Sequence, residues 1–290
     1  MTSEPEASGR RPSRAGRDLP AAVAVGLGLL AVVVLTLMYW HTGFILLIVV
    51  LTCLCAIELH HALRRIGMNS AIVPIVIGNI AIVGGSYAAA ILQPVTTIPW
   101  HSVLLGFLAA TVLLALMWRM PGGAEGYVKD SAASLFIISY IPMLASFIGL
   151  ILAMPHGTSK VVTVLLCVTG SDTGGYAMGA TLGKHPMAPT ISPKKTWEGL
   201  IGSVLLATLV GTLMSVFVIG EPWWFGLLLA LVVVVFGTTG DLVESLIKRD
   251  VGIKDMSSFL PGHGGVMDRL DSTLVVVPAA WLLFTVFGVA

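Results

Sequence analysis

Residues 223–272 read WWFGLLLALVVVVFGTTGDLVESLIKRDVGIKDMSSFLPGHGGVMDRLDS, an apolar run that leads directly into a charged segment. The charged part, 241–272, holds six of the chain's fifteen Asp and Glu residues and four of its sixteen Lys and Arg residues. Only 11% of the whole chain is charged, so this concentration needs a cause. An apolar run of about 20 residues is long enough to cross a bilayer as an α-helix. We therefore interpret residues 223–247 as a membrane helix whose polar end opens a functional loop.

Carboxylates lie at both ends of this loop. Asp241 and Glu244 are three residues apart and therefore share one face of the first helix. Residues 261–265, PGHGG, cannot continue a helix, but their glycines permit tight turns with exposed backbone N–H groups that bind phosphate oxygens. Asp268 and Asp271 follow, again three apart, where the chain re-enters an apolar run. The pattern therefore predicts carboxylates on two membrane-helix ends joined by a basic, glycine-rich loop.

These residue types suit phosphoryl or nucleotidyl transfer. Mg²⁺ takes oxygen ligands and keeps water or substrate phosphate in its remaining positions, so a few converging carboxylates suffice. Lys and Arg side chains neutralise phosphate charge, and such transfers depend mainly on positioning and electrostatic stabilisation. The alternative is a solvated loop with incidental charges. Charged side chains beside bilayer-spanning segments are costly and tend to mark function, which favours the catalytic interpretation.

The same segment resembles the signature of the phosphatidate cytidylyltransferases, also called CDP-diacylglycerol synthases. The matching residues are Ser245-Leu-Ile-Lys248-Arg249, then Lys254-Asp255, then Leu260 to Asp271, LPGHGGVMDRLD, at fixed spacing. Ser171-Asp172-Thr and the later Ser192-Pro-Lys-Lys-Thr-Trp-Glu-Gly are similar to the same family, so the resemblance extends over residues 170–272. The N-terminal half matches as generic membrane helices.

The resemblance implies an enzyme of phospholipid biosynthesis that converts phosphatidate and CTP into CDP-diacylglycerol and pyrophosphate. The expected cofactor is Mg²⁺ or another divalent cation. The expected partners are CTP, phosphatidate, membrane lipid and a second copy of the chain in a homodimer, with no nucleic acid. Because both reactants are anions, the main task of the site is charge neutralisation. No general base is strictly needed, since the phosphatidate nucleophile is already ionised near neutral pH.

The composition indicates an all-α, polytopic integral membrane protein. The chain has 290 residues, of which 56% are hydrophobic, and its mean hydropathy is +0.95. A soluble domain has an apolar content nearer 45–50%. Cys53, Cys55 and Cys167 all lie in apolar runs and form no metal-binding pattern, so we interpret them as small buried side chains.

Nine spans are predicted from the apolar runs. Residues 1–18 should form a disordered cytoplasmic tail, 19–154 five N-terminal spans, and 155–290 a catalytic region of four spans. With the N-terminus inside, fifteen of the sixteen Lys and Arg residues fall in cytoplasmic segments, and Lys160 alone falls outside. We therefore expect an inner (plasma) membrane protein with its site at the cytoplasmic face. The predicted spans are 20–38, 42–58, 71–93, 99–118, 132–154, 160–182, 198–219, 223–247 and 271–289.

Span six places an acid in an otherwise apolar helix. Asp172 is followed by Gly175, Gly179 and Gly183 at four-residue spacing. Small residues at this spacing allow two helices to approach closely, which explains the glycines. Helix packing does not explain Asp172, and an acid within a span is a functional candidate by default.

The loop after span six is a candidate anion site. Ser192, Lys194 and Lys195 lie just before the next helix, whose N-terminus carries positive dipole charge. The alternative is that both lysines act as ordinary topology signals.

We assign the site as follows. Asp241 and Asp268 are the first choices as metal ligands, and Asp172 and Asp271 are the second choices. Candidates to contact either the triphosphate of CTP or the phosphate of phosphatidate are Lys194, Lys195, Lys248, Arg249 and Lys254. His263 either donates to the leaving pyrophosphate or has a structural role in the loop. The catalytic set is Asp241, Asp268, Lys248, Arg249 and His263, and the substrate-binding set is Asp172, Ser192, Lys194, Lys195, Lys254, Gly264, Gly265 and Arg269.

Three other functions are alternatives: a secondary transporter, a lipid scaffold or assembly factor, and another transferase. A scaffold would need no clustered carboxylates. A secondary transporter would show intramembrane acids and interrupted helices in both halves, but the first five predicted spans hold no acid except the terminal Glu58. Another lipid-phosphate or polyprenyl-phosphate transferase would share the chemistry.

Glu58, His60 and His61 are candidates for a metal or lipid contact, although polar residues at a helix end commonly reach the interface instead.

Overall fold

The computed structural model describes residues 19–93, 95, 97–257, 259 and 264–289, without the side chains of residues 19–25. The predicted tail, 1–18, therefore lies outside the described residues. The described chain is almost entirely helical, with one short β-hairpin. Its helices are α1 Leu19–Tyr39, α2 His41–Arg64, α3 Ile72–Leu92, α4 Trp100–Gly122, α5 Tyr127–Leu152, α6 Gly157–Leu182, α7 Trp197–Ile219, α8 Trp223–Val251 and α9 Met267–Val286.

The predicted fold class is confirmed. Within the described residues, the eight helices α2 to α9 are long and apolar enough to cross a membrane. α1 has the length of a span, and its fully described part, Gly26–Tyr39, is also apolar. The protein is therefore a polytopic α-helical membrane protein.

Several helices extend beyond the predicted spans because polar residues continue them. α2 ends at Arg64, and α5 begins at Tyr127, so that Asp130 is part of a helix. α9 begins at Met267 and therefore includes both Asp268 and Asp271. α5 is broken at Ile141, just before Pro142, which has no N–H to donate to the preceding turn.

A β-hairpin between α6 and α7 was not predicted. Strands β1, Pro186–Ala188, and β2, Ser192–Thr196, pair antiparallel. Glu198 in the first turn of α7 holds the base of the hairpin. Its Oε2 accepts hydrogen bonds from the backbone N–H groups of Lys184 and His185, each at 3.2 Å. The hairpin is thus fixed to the start of α7.

Helices α6 and α7 pack closely through glycine. A Cβ atom on Gly174 would collide with the carbonyl oxygen of Gly202, and a Cβ on Gly202 would collide with the carbonyl oxygen of Gly174. At the next residue, a Cβ on Gly175 would lie 2.6 Å from Ser203 Oγ. The same hydroxyl donates to the backbone carbonyl of Ser171 at 2.7 Å. Small residues therefore set the distance between these helices, as the spacing predicted.

The helix ends meet at two opposite faces. At one face, Lys129 Nζ donates to the carbonyl oxygen of Ile66 at 2.9 Å, and Arg249 Nε donates to that of Ile191 at 3.4 Å. At the opposite face, Lys160 Nζ donates to the carbonyl oxygen of Val289 at 2.8 Å. Apart from Lys160, the Lys and Arg residues of the described chain all lie at the first face, which we call the charged face.

Candidate active site

A cavity of about 360 Å³ opens between α6, the β-hairpin, α7 and α8. It lies toward the charged face, where α6 and α8 end and α7 begins. Glycines of α6 and α7 leave the space, and polar side chains line it. The polar residues around it are Ser171, Asp172, Tyr176, Ser192, Lys194, Lys195, Thr196, Ser203, Thr238 and Asp241.

Lys195 and Asp241 form an ion pair in the wall of this cavity. Lys195 Nζ lies 2.6 Å from Asp241 Oδ2 and 3.4 Å from the carbonyl oxygen of Thr238. The Asp241 side chain is 40% exposed, so it faces both the lysine and the open space. Lys194 is exposed beside it. The two adjacent lysines therefore present positive charge to the cavity, and one of them is oriented by an acid.

The N-terminus of α7 adds to this positive field. Thr196 is its N-cap, and its Oγ1 accepts a hydrogen bond from the backbone N–H of Gly199 at 3.1 Å. Because both residues line the cavity, the positive end of the helix dipole lies at its edge. Asp172 and Ser192, assigned from the sequence, also line the cavity. An anionic ligand such as a phosphate group suits this environment.

Asp241 also belongs to a cluster of three acids next to the cavity. Carboxylate oxygens of Asp241, Glu244 and Asp271 lie within 4.8 Å of one another. Glu244 is 1% exposed, and its Oε1 has no hydrogen-bond partner among the described residues. A buried carboxylate oxygen without a partner is costly unless a cation or a hydrogen-bond donor meets it. The acidic cluster can therefore hold a hard divalent cation, for which oxygen ligands are appropriate.

Asp268 is held by Lys248 and by two backbone N–H groups. Its Oδ1 lies 2.8 Å from Lys248 Nζ, which also forms an ion pair with Glu244. Its Oδ2 accepts hydrogen bonds from the backbone N–H groups of Met256 at 3.0 Å and Gly265 at 2.8 Å. The structure thus places Asp268 beside the acidic cluster, with both of its oxygens already occupied. Lys248 connects α8 to the start of α9.

The glycine-rich segment is described from Gly264 onward. Gly264 adopts φ +82°, a left-handed conformation that favours glycine. The Gly265 N–H, which the sequence assigned to phosphate, donates to Asp268 instead. Lys254 and Arg269 are exposed on either side of this segment, and Arg249 contacts the hairpin through Ile191. His263 lies outside the described residues, so its role stays a prediction.

Three residues near the acids are outside the catalytic, substrate-binding and metal-ligand sets predicted from the sequence. Glu244 shares a helix face with Asp241, and this i, i+3 spacing was the available signal. Tyr140 of α5 has a buried hydroxyl without a hydrogen-bond partner among the described residues, and it interacts electrostatically with Asp271 and Glu244. Glu58 of α2 contacts the start of α9. Tyr140 and Glu58 come from distant parts of the chain. Tyr140 had no local sequence signal, whereas Glu58, with His60 and His61, was a candidate for a metal or lipid contact.

Comparison with known proteins agrees with this arrangement of basic and acidic groups. The sequence profile of the Cytidylyltransferase family matches residues 20–287, which is nearly the whole chain. The chain belongs to the Cytidylyltransferase family. Membership covers the N-terminal helices as well as the signature segment, so it extends the predicted resemblance beyond residues 170–272.

Two relatives within the cytidylyltransferases match nearly the whole chain, and a third matches about half of it. The chain is 37% identical to the phosphatidate cytidylyltransferase of Mycobacterium leprae (strain TN) over 294 residues, covering 96% of this chain and 91% of that protein. It is also 37% identical to the protein of the same name from Mycobacterium bovis (strain ATCC BAA-935 / AF2122/97), over 94% of this chain and 90% of that protein. A phosphatidate cytidylyltransferase of Staphylococcus saprophyticus matches over 51% of this chain at 39% identity.

Proposed function

We propose that this cytidylyltransferase moves a cytidylyl group from CTP to phosphatidate, producing CDP-diacylglycerol and pyrophosphate. The observation that carries the proposal is the junction of the cavity with the acidic cluster at Asp241. Lys195 pairs with this residue, the α7 N-terminus lines the same cavity, and oxygens of Glu244 and Asp271 lie within 4.8 Å of its carboxylate. A site of this kind suits two phosphate-bearing reactants that must be brought together against their own repulsion.

The reaction requires one bond to form and one to break. A phosphate oxygen of phosphatidate attacks the α-phosphorus of CTP, and the bond from that phosphorus to the α,β-bridging oxygen breaks. Pyrophosphate leaves with the electron pair of the broken bond. Lys194, Lys195 and the N-terminus of α7 neutralise phosphate charge while the reactants are aligned. Arg249, Lys254 and Arg269 lie at the same face and are further phosphate contacts in this proposal.

Asp241, Glu244 and Asp271 would hold the divalent cation, with Mg²⁺ as the proposed ion. When bound, it supplies charge neutralisation at phosphate oxygens and a template for in-line geometry. Glu244 replaces Asp268 in the ligand set because Asp268 is engaged by Lys248 and two backbone N–H groups. Asp172 also lines the cavity and stays a second-choice ligand.

The charged face is proposed to be cytoplasmic. Lys and Arg residues concentrate in cytoplasmic loops of membrane proteins, and here they concentrate at this face. The N-terminus would then be inside, and the site would open toward soluble CTP in the cytoplasm, with phosphatidate arriving from the inner membrane itself. A homodimer is part of the proposal and is supported by the family resemblance.

Orientation is tested by thiol labelling. Cysteines at Ser3 and at Glu125, which is exposed in the loop between α4 and α5, should react with a membrane-impermeant reagent only after the cells are opened. A cysteine at Thr97, exposed in the loop between α3 and α4, should react in intact cells. The reverse pattern would place the site outside.

Substrate identity is tested with purified protein in detergent. The protein is incubated with phosphatidate, Mg²⁺ and each of the four nucleoside triphosphates in turn, and pyrophosphate release is followed. We expect release with CTP and its dependence on phosphatidate. Release with ATP but not CTP would contradict the proposed substrate, and release without phosphatidate would indicate nucleotide hydrolysis.

A further inference from the structure

Glu58 connects the N-terminal helices to the segment that carries the proposed ligands. It lies near the end of α2 and is 7% exposed. Its Oε1 accepts hydrogen bonds from Ser257 Oγ at 2.5 Å and from the backbone N–H of Val266 at 2.9 Å. Its Oε2 accepts from the backbone N–H of Met267 at 2.8 Å. Both oxygens of this buried carboxylate are therefore used on the chain between α8 and α9.

These bonds fall on the N-terminus of α9. The first backbone N–H groups of a helix have no partner within it, and a carboxylate there also complements the helix dipole. Val266 and Met267 donate to Glu58, and Gly265, just before them, donates to Asp268. Three consecutive N–H groups are thus held by two carboxylates. The start of α9, which bears Asp268 and Asp271, is fixed by a residue more than 200 positions earlier in the chain.

The helix that carries Glu58 is itself immobilised by packing. Cys55 and Leu59, on either side of it, are fully buried in the main core. The close approach also depends on glycine, because a Cβ on Gly265 would lie 2.8 Å from Glu58 Oε2. Glu58 is therefore a rigid support rather than a mobile surface acid.

We propose that Glu58 is a positioning residue that keeps Asp271 in the acidic cluster with Asp241 and Glu244. It contacts no reactant and acts through the backbone of α9, one turn before Asp271. The inference rests on the proposed function in one respect, which is that the acidic cluster holds a divalent cation. It assigns the N-terminal helices a direct part in forming the site.

The test uses Glu58→Gln in the full chain. Glutamine keeps the volume but turns an amide NH₂ toward N–H donors, so part of the cap is lost. Mn²⁺ affinity is measured by electron paramagnetic resonance on detergent-purified protein, without substrates. We expect the Kd for Mn²⁺ to rise about tenfold, as for other changes in the support of metal ligands. The Mg²⁺ concentration that gives half-maximal transfer should rise in parallel, and Glu58→Asp, which keeps the charge, should recover part of the affinity.

Asp130→Asn is the matched control. Asp130 is also a buried carboxylate of the N-terminal helices, at 4% exposure, and its Oδ1 also accepts a backbone N–H, that of Asn69 at 2.7 Å. Its partners do not belong to α8 or α9, so its loss should leave the Kd for Mn²⁺ unchanged. Unchanged Mn²⁺ affinity in Glu58→Gln, or an equal change in both variants, would overturn the inference.

The proposed function and the inference fail in different ways. A parent protein that binds Mn²⁺ but makes no CDP-diacylglycerol contradicts the function, while the Kd comparison still decides the role of Glu58. If the parent transfers cytidylyl groups but Glu58→Gln and Asp130→Asn depend equally on Mg²⁺, only the role of Glu58 is contradicted. A parent that binds no divalent cation contradicts both the ion assignment and this inference.

Discussion

The N-terminal and C-terminal helices bury acids in different ways. In α5, Asp130 has both oxygens occupied, one by Arg119 Nε at 2.6 Å and one by the backbone N–H of Asn69 at 2.7 Å. In α8, Glu244 keeps one oxygen without a partner among the described residues, and Asp241 beside it is 40% exposed toward the cavity. The first arrangement is complete without a ligand. The second has oxygen atoms left for a cation or a substrate.

This difference separates acids that are complete without a ligand from acids that can bind one. A buried charge in a membrane protein is costly, so its presence alone suggests function. The partners decide which function it has, because a fully satisfied acid stabilises a fold and an unsatisfied one can act on a ligand. α5 contains the acid Asp130, although the predicted fifth span, 132–154, contains none. Its ion pair, however, gives it a structural role.

The largest expected effect is on catalysis at the acidic cluster. Asp241→Asn keeps the shape and removes the charge that a hard cation requires, so kcat/KM should fall by about a thousandfold or more. Because the side chain is partly exposed, the melting temperature should stay near that of the parent. Steady-state kinetics and thermal unfolding in detergent are the measurements. Activity that falls only in proportion to the folded fraction would make Asp241 structural.

The second-largest effect is expected on stability, because Asp268→Asn should lower the free energy of unfolding. The ion pair with Lys248 is mostly buried, with side-chain exposures of 10% for Asp268 and 16% for Lys248. Breaking a buried pair by removing one charge costs about 3 kcal/mol, although Lys248 retains Glu244 here. Chemical unfolding in detergent measures the loss. A variant as stable as the parent, with no Mg²⁺-dependent rise in melting temperature, would return Asp268 to the metal-ligand set.

Lys195→Ala should have an intermediate effect on catalysis. It removes a charge-assisted contact to phosphate worth about 1.5–3 kcal/mol, so kcat/KM for CTP should fall about 10- to 150-fold. Lys194→Ala should act in the same direction. Lys129→Ala is the control, because this lysine lies at the same face and donates to Ile66 instead of facing the cavity. If all three variants have parental kinetics in detergent, the lysines of the hairpin serve topology alone.

The smallest catalytic effect is expected at the structural acid. Asp130→Asn weakens the pair with Arg119 and should lower the melting temperature. Since neither residue touches the cavity or the acidic cluster, kcat/KM per folded molecule should stay within about twofold of the parent. A larger kinetic loss would show that the N-terminal helices contribute to the site through Asp130 as well.

The membrane spans and the region of the candidate site could be predicted from the sequence more readily than the contacts between individual side chains. Apolar runs are local, so the nine long helices of the described residues could be placed to within a few residues. Asp172 was proposed because it is an acid inside an apolar run, Asp241 because it opens the charged segment, and Lys195 because it belongs to a basic pair just before a helix. The contact of Glu58 with the start of α9 and the position of Tyr140 near the acids could not be predicted, since both depend on tertiary packing between distant helices. The role of Asp268 was also hidden, because only the folded chain shows that Lys248 and two backbone N–H groups already occupy it.

The most direct test of the account is the product formed by the parent and by Asp241→Asn. Purified protein is given CTP, Mg²⁺ and phosphatidate in detergent micelles, and the lipid and pyrophosphate are quantified by mass spectrometry and by a coupled assay. We predict equal amounts of CDP-diacylglycerol and pyrophosphate from the parent, loss of both on removal of Mg²⁺, and almost none from folded Asp241→Asn. Pyrophosphate without cytidylylated lipid, or undiminished transfer by Asp241→Asn, would contradict the account.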